Sequence, residues 1–243
     1  QSLNGKWGYY ASYNIGAEWI DDSEALVVTT KRGMENIDFL CMFMTCFSSN
    51  LAIESFSEIY SINPEQPAIN APSLQGVVSP LIVLHFIGVV SRIKAPKKGY
   101  VHHSENLKKV KGHICVLKNE RDNVAQKRFD RVYCNYDEYS VDIPENRLLK
   151  KALLFSLRFV MRTGSHHHSY DNIKQMLFRS LAMFENVSDE VEIKDIQRIK
   201  GHKLYNDYAE AIRLAKIVLS HFDYSINKVS ETDNRIVPFV LDM

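Results

Sequence analysis

Glu192-Ile193-Lys194, with Asp189 just upstream, has the acid-x-lysine spacing of Mg²⁺-dependent nucleases. In such sites the acids hold the ion and the lysine helps to activate water. That chemistry needs its acids on adjacent strands. The surrounding stretch, SDEVEIKDIQRIK, is polar and reads as a link between helices, so the spacing is assigned to chance. His166-His167-His168 offers three imidazoles, which are good ligands for a transition metal. Three consecutive residues converge poorly on one ion, and no Cys or carboxylate stands at ligand spacing, so no metal site is assigned. His102-His103 is a weaker candidate still. The ten glycines never form G-x-x-x-x-G-K-[ST], G-x-G-x-x-G or G-x-S-x-G. Neither a phosphate cradle nor a nucleophile elbow is present in the sequence. No catalytic residue is named, and whether the chain is itself an enzyme stays open.

The most concentrated chemistry is cationic. Residues 92–151 carry 15 Lys/Arg against 8 Asp/Glu, net +7, whereas residues 1–91 carry 3 against 9, net −6. A basic block of this kind meets nucleic acid, an acidic protein surface, or simply solvent. Within it, the strand-like segments 112–117 (GHICVL) and 129–136 (FDRVYCNY) flank the polar stretch KNERDNVAQKR. This pattern predicts a long-looped β-hairpin with a charged tip. Arg121, Lys127, Arg128 and Arg131 are the candidate partner-binding residues. Arginine suits the task because its rigid fork holds a carboxylate or phosphate in a defined geometry.

The elements that must position this tip follow from periodicity. Trp7–Tyr13 and Ala25–Thr30 read as strands, with turns at Gly16 and Asp21-Asp22. Residues 36–59 read as a helix, stopped by Pro64, Pro67 and Pro72. A second helix is expected to start with Ser79 as N-cap and Pro80 in its first turn. Its run VVSPLIVLHFIGVV is apolar nearly all round and short for a bilayer, which predicts a buried core helix. The stretch KAPKKG before Tyr100 is a turn-forming hinge. After it, Asp142, Pro144 and Glu145 form a helix-start signal of the capping-box type. Leu148, Leu149, Ala152, Leu153, Ser156, Leu157 and Val160 are the expected buried stripe. Helices are also expected over 170–185 and 204–222. The fold class is α+β, with a mixed domain over 1–110, then a central hairpin and helical domain over 111–243.

Cys41, Cys46, Cys115 and Cys134 are scattered in apolar surroundings and form no C-x-x-C pair. They read as buried thiols of a reducing, cytoplasmic compartment. The chain opens QSLNGKWGYY, with neither initiator Met nor apolar leader, as a fragment or processed chain would.

The block from Lys111 to Leu153, KGHICVLKNERDNVAQKRFDRVYCNYDEYSVDIPENRLLKKAL, resembles the centre of McrC proteins. These are the non-motor subunits of McrBC 5-methylcytosine-dependent restriction systems. Lys111-Gly112, Ile114, the acidic turn Asp137-Glu138, Asp142 and Asn146-Arg147-Leu148-Leu149-Lys150 fall in the family's order. His113 stands where the family usually has Arg. FSEIY (residues 56–60), Ser79-Pro80-Leu81, Gly99-Tyr100-Val101, Tyr205–Leu219 and Val237–Met243 carry weaker likeness. The resemblance implies a subunit of a phage-defence restriction endonuclease. Such a subunit docks into a hexameric AAA+ GTPase ring of the McrB type and stimulates its hydrolysis. GTP and Mg²⁺ are then expected in the complex, with no cofactor in this chain, and DNA is met through the complex rather than a membrane. In the family the nuclease residues follow the segment matching Leu241-Asp242-Met243, so the chain is expected to stop short of them. Lys111, Gly112, Asp142, Asn146 and Arg147 are motif residues whose expected role is structural. The alternative is a stand-alone nucleic-acid-binding module that uses residues 92–151.

Overall fold

A computed structural model of the protein describes residues 2–3, 6–7, 13–31, 33, 37–46, 59–163, 169–191, 196, 199, 206–226 and 235–242. The histidine run 166–168, the Glu192–Lys194 spacing, the whole stretch 47–58 and Met243 lie outside the described residues.

The first strands are short. β1 (Ser2–Leu3) pairs with β2 (Lys6–Trp7), and β3 (Asn14–Trp19) forms a hairpin with β4 (Ala25–Val28). Of the expected strand over 7–13, Trp7 lies in β2 and residues 8–12 lie outside the described residues. The turn at Asp21 is as expected. Its Oδ1 accepts the Ser23 and Glu24 amides, at 2.7 and 2.8 Å, and those bonds hold its carboxyl below the usual carboxylate range. Gly16, expected in a turn, instead lies inside β3, paired with Val28 on one side and Val240 on the other. A side chain there would collide with the backbone of Phe239 and Val240, so the glycine marks a close strand approach.

α1 (Phe39–Cys46) follows, with Asp38 Oδ1 accepting the Cys41 amide at its start. After β5 (Tyr60–Ile62) and β6 (Ile69–Asn70), a 3₁₀ turn over Pro72–Leu74 leads into α2 (Gln75–Ser91). The start signal is therefore Pro72, and Pro80 sits within α2. Pro80 is the sixth residue of α2, beyond the first turn, so the helix forgoes the hydrogen bond that an amide there would make to the carbonyl four residues earlier. Helix and turn together are long and apolar enough to cross a membrane, yet 78% of the most apolar window is buried inside the protein. Val78, Leu81, Ile82, Val83, Phe86, Val89 and Val90 are inaccessible, as the all-round apolar pattern predicts.

Next come β7 (Gly99–Leu107), β8 (His113–Ile114), one turn of helix α3 (Val116–Asn119), a wider turn over Glu120–Val124, and β9 (Val132–Ser140). Three long helices complete the body: α4 (Pro144–Thr163), α5 (Ser169–Met183) and α6 (Asn206–Ile226). The expected stripe on α4 is buried, with Leu157 half-buried against the core. α2 packs against α1, α5 and α6, and α4 against α5 and α6. The Tyr170 hydroxyl donates to Asp38 at 2.7 Å and ties α5 to α1.

The chain closes on β10 (Arg235–Ile236), paired with β6, and β11 (Phe239–Asp242). β11 lies between β3 and β5, antiparallel to both, in a sheet ordered β4-β3-β11-β5. That sheet therefore joins residues from both ends of the described chain. Helices and antiparallel sheets together make the fold α+β.

Candidate functional site

The basic block forms a ribbon. β7 pairs with β9 over nine residue pairs, from Gly99↔Ser140 to Leu107↔Val132, and β8 adds two residues on the other edge of β9. The expected hairpin between 112–117 and 129–136 is thus corrected in its first strand: the main partner of β9 is 99–107. The reason is that most ribbon residues are exposed or half-buried, so GYVHHSENL shows no apolar alternation to betray it. One face carries Tyr100 beside Tyr139, ring centroids 5.2 Å apart, then His102 bonded to Asp137 at 2.9 Å. On the other, His103 stacks on Tyr136 at 4.9 Å.

The stretch 118–128, expected as an open loop, is largely helical and folds onto the far end of the ribbon. Asn123 organises it and is 1% exposed. Its carboxamide exchanges two hydrogen bonds with that of Asn106, at 2.7 and 3.0 Å, and donates to Asn119 Oδ1 at 2.8 Å. The same Asn119 oxygen accepts the Tyr133 amide. Lys118 reaches Ser104 Oγ at 3.1 Å and lies over the Tyr133 ring. Asn123 escaped sequence reasoning because its partner Asn106 is 17 residues away. The Asn119/Asn123 spacing, which brings side chains together on a helix, was its one local signal.

All four candidate cations lie at this end, on the exposed surface. Arg121 grips Asp122 with two hydrogen bonds, at 2.7 and 3.1 Å, which hold the Asp122 carboxyl below its usual range. Lys127 adopts a left-handed backbone, φ 57°, uncommon for a side-chain-bearing residue. The Arg128 amide donates to the Asn123 carbonyl at 2.8 Å, and its guanidinium also helps hold Asp122 down. Arg131 lies 3.8 Å from Asp130. Around them Val116, Leu117, Val124 and Phe129 are exposed, Leu117 at 82%.

The motif residues lie along the other parts of the ribbon. Gly112 has φ +69°, and an added Cβ would sit 2.6 Å from the Asn135 carbonyl oxygen, so only glycine turns the chain into β8. Lys111 lies over the Tyr136 ring at 4.0 Å and pairs with Glu138 at 3.4 Å. Asp142, expected to cap α4, stands one residue too early. Its carboxylate instead receives two Arg147 bonds, at 2.8 and 2.7 Å, and the Ser188 amide. The Arg147 bonds, with help from Ser188, hold its carboxyl below the usual range. Asn146 is fully buried at the foot of the ribbon.

A second buried polar pair lies in the body. The Tyr60 hydroxyl meets His85 Nδ1, ring edge to face, near Glu210 and Arg213 of α6. Burial pushes His85 down to about 4 and Tyr60 upward. No group of three metal-ligating side chains converges among the described residues.

The family model for McrBC 5-methylcytosine restriction system components matches residues 73–243. The chain belongs to that family, in line with the resemblance of the 111–153 block. Two solved structures are similar. The first is the cryo-EM structure of the Thermococcus gammatolerans McrBC complex, at 15% identity and TM-score 0.44, covering 85% of this chain and 59% of that one. The second is a half-complex from a tetradecameric assembly of Thermococcus gammatolerans McrB AAA+ hexamers with bound McrC, at 14% identity and TM-score 0.45, covering 86% and 49%. The chain thus spans about half to three-fifths of the length of these two chains. No curated protein matches.

Proposed function

We propose that this chain is the non-motor subunit of a 5-methylcytosine-dependent restriction complex, and that its ribbon tip docks into a GTP-hydrolysing AAA+ ring and stimulates turnover. The observation that carries this reading is the tip itself. An ordered helical unit, closed by Asn123, holds four exposed cations among exposed apolar side chains. Rigid presentation favours docking because little conformational entropy is lost on binding. GTP and Mg²⁺ belong to the motor in this scheme, and DNA is recognised and cut by the assembled complex.

The runner-up, nucleic-acid binding by residues 92–151, needs a face of available cations. Many of that block's cations already have internal work. Lys97 lies over Tyr208, Lys111 pairs with Glu138, and Arg147 with Asp142. Lys150 and Lys151 bond to the carbonyls of Val187 and Val191. These five of the block's fifteen cations are committed to structural contacts, which weighs towards the protein-docking reading.

The test mixes the chain with its cognate motor and measures GTP turnover. Arg121→Glu combined with Arg128→Glu is expected to abolish stimulation while the thermal melt stays within a few degrees. Stimulation that survives the double reversal would sink the tip as the contact. DNA binding by the chain alone, weakening steeply with salt, would favour the runner-up.

A further inference from the structure

One carboxamide holds both feet of the ribbon. Lys97 lies just before β7, and Val141 follows β9 directly. Asn146 Nδ2 donates to both of their carbonyls, at 2.8 and 2.6 Å. Its Oδ1 accepts the Tyr208 hydroxyl of α6 at 2.6 Å, and that hydroxyl oxygen accepts the Lys97 amide at 3.0 Å. The Lys97 ammonium stands 4.2 Å from the centre of the Tyr208 ring. Asn146 is fully buried, and burial pushes the Tyr208 hydroxyl up to about 12. The closed network joins residues 49 and 62 positions apart in the chain.

Among the described elements, the ribbon's main contacts are among its own strands and tip. Alongside the carboxamide, Ile143 Cγ2 packs against Gly99 so closely that an added Cβ would sit 3.2 Å from it. Asp142, held by Arg147 and Ser188, locks the same helix start to the segment after α5. Leverage makes these feet matter. Nine residues of strand span about 30 Å, so a rotation of about 10° at the base displaces the tip by about 5 Å.

We propose that Asn146 and Tyr208 are positioning residues that clamp the two feet of the ribbon to the helical body and so fix where its tip points. The clamp stands on geometry alone; only its consequence for motor stimulation rests on the docking reading above.

The experiment uses the full chain with spin labels, carried on unnatural amino acids, at exposed Gln126 of the tip and exposed Gln175 of α5. The distance distribution between them is expected to be narrow in the parent. Tyr208→Phe should broaden it, and Asn146→Leu should at least double its width. Val160→Ala, a core truncation of α4 away from the feet, should lower the melting temperature without changing the width. A parent width retained in both clamp variants overturns the proposal, as does equal broadening by Val160→Ala. Should Asn146→Leu fail to fold, Tyr208→Phe alone decides between these outcomes. A second arm measures GTP turnover with the cognate motor, where a broadened variant is expected to stimulate poorly with its tip residues intact. Broadening with undiminished stimulation would overturn the docking role of the ribbon and leave the clamp standing. An unbroadened distribution overturns the clamp whatever the motor does.

Discussion

In the helical body, α2 turns apolar side chains in every direction and loses nearly all of them from solvent, with Phe86, Leu81 and Ile82 fully buried. In the ribbon, Cys134 is the one fully buried side chain of β7 and β9, and the tip closes on asparagines rather than on a core. Burial without direction holds the first region, and directional hydrogen bonds hold the second. The difference matters because apolar burial scales with area and tolerates exchange of one aliphatic group for another. A polar network keeps one geometry or fails. A surface that must meet a partner in a fixed pose is better served by the second kind of bonding. The body then supplies the stability on which the ribbon draws.

The sharpest way to break this comparison is to attack the body. Phe86→Ala should destabilise the whole chain by about 3–5 kcal/mol in a denaturant melt, since it removes a buried ring and leaves a cavity. A loss below about 1 kcal/mol would mean that the core is not concentrated on α2.

The body also carries a pH dependence through a buried imidazole. Burial depresses His85 from 6.5 to about 4, against a smaller opposing pull from Glu210. Between those values the unfolded chain binds a proton that the folded chain refuses. Stability is therefore full above about pH 6.5 and falls as pH drops towards 4, by about 3 kcal/mol in all. Measured from pH 7 to pH 4, the parent should show this slope and His85→Leu should lose most of it. A slope that persists unchanged in His85→Leu would place the titration on another group.

The smallest global effect is expected at the tip. Asn123→Ala removes the reciprocal bonds to Asn106, a local cost of about 1–3 kcal/mol. The melt of the body should barely move, while hydrogen exchange at the Ala125 and Arg128 amides, which bond to the carbonyls of Glu120 and Asn123, should quicken. A lowered melt of the whole chain, without faster exchange at the tip, would show that the two regions are not held separately.

The sequence by itself determined what periodicity can express. The all-round apolar run became the core helix, the stripe on α4 faced inward, and the Asp21 turn formed where short-range bonding dictates. These features depend on neighbours within a few residues, so local pattern suffices to find them. The motif Asp142, Asn146, Arg147 was legible as a group of related residues, but not its partners. Ser188, Lys97 and Tyr208 come from distant parts of the chain, and only folding makes them neighbours. For the same reason tertiary structure alone decided that 99–107 would be the partner of β9, and that the polar stretch 118–128 would coil around Asn123. It also decided that the segment Phe239–Asp242 would complete a sheet begun at Asn14. Strand pairing and buried amides depend on contacts far apart in sequence, where no periodicity reaches. In this protein those contacts set the ribbon, its tip and its feet.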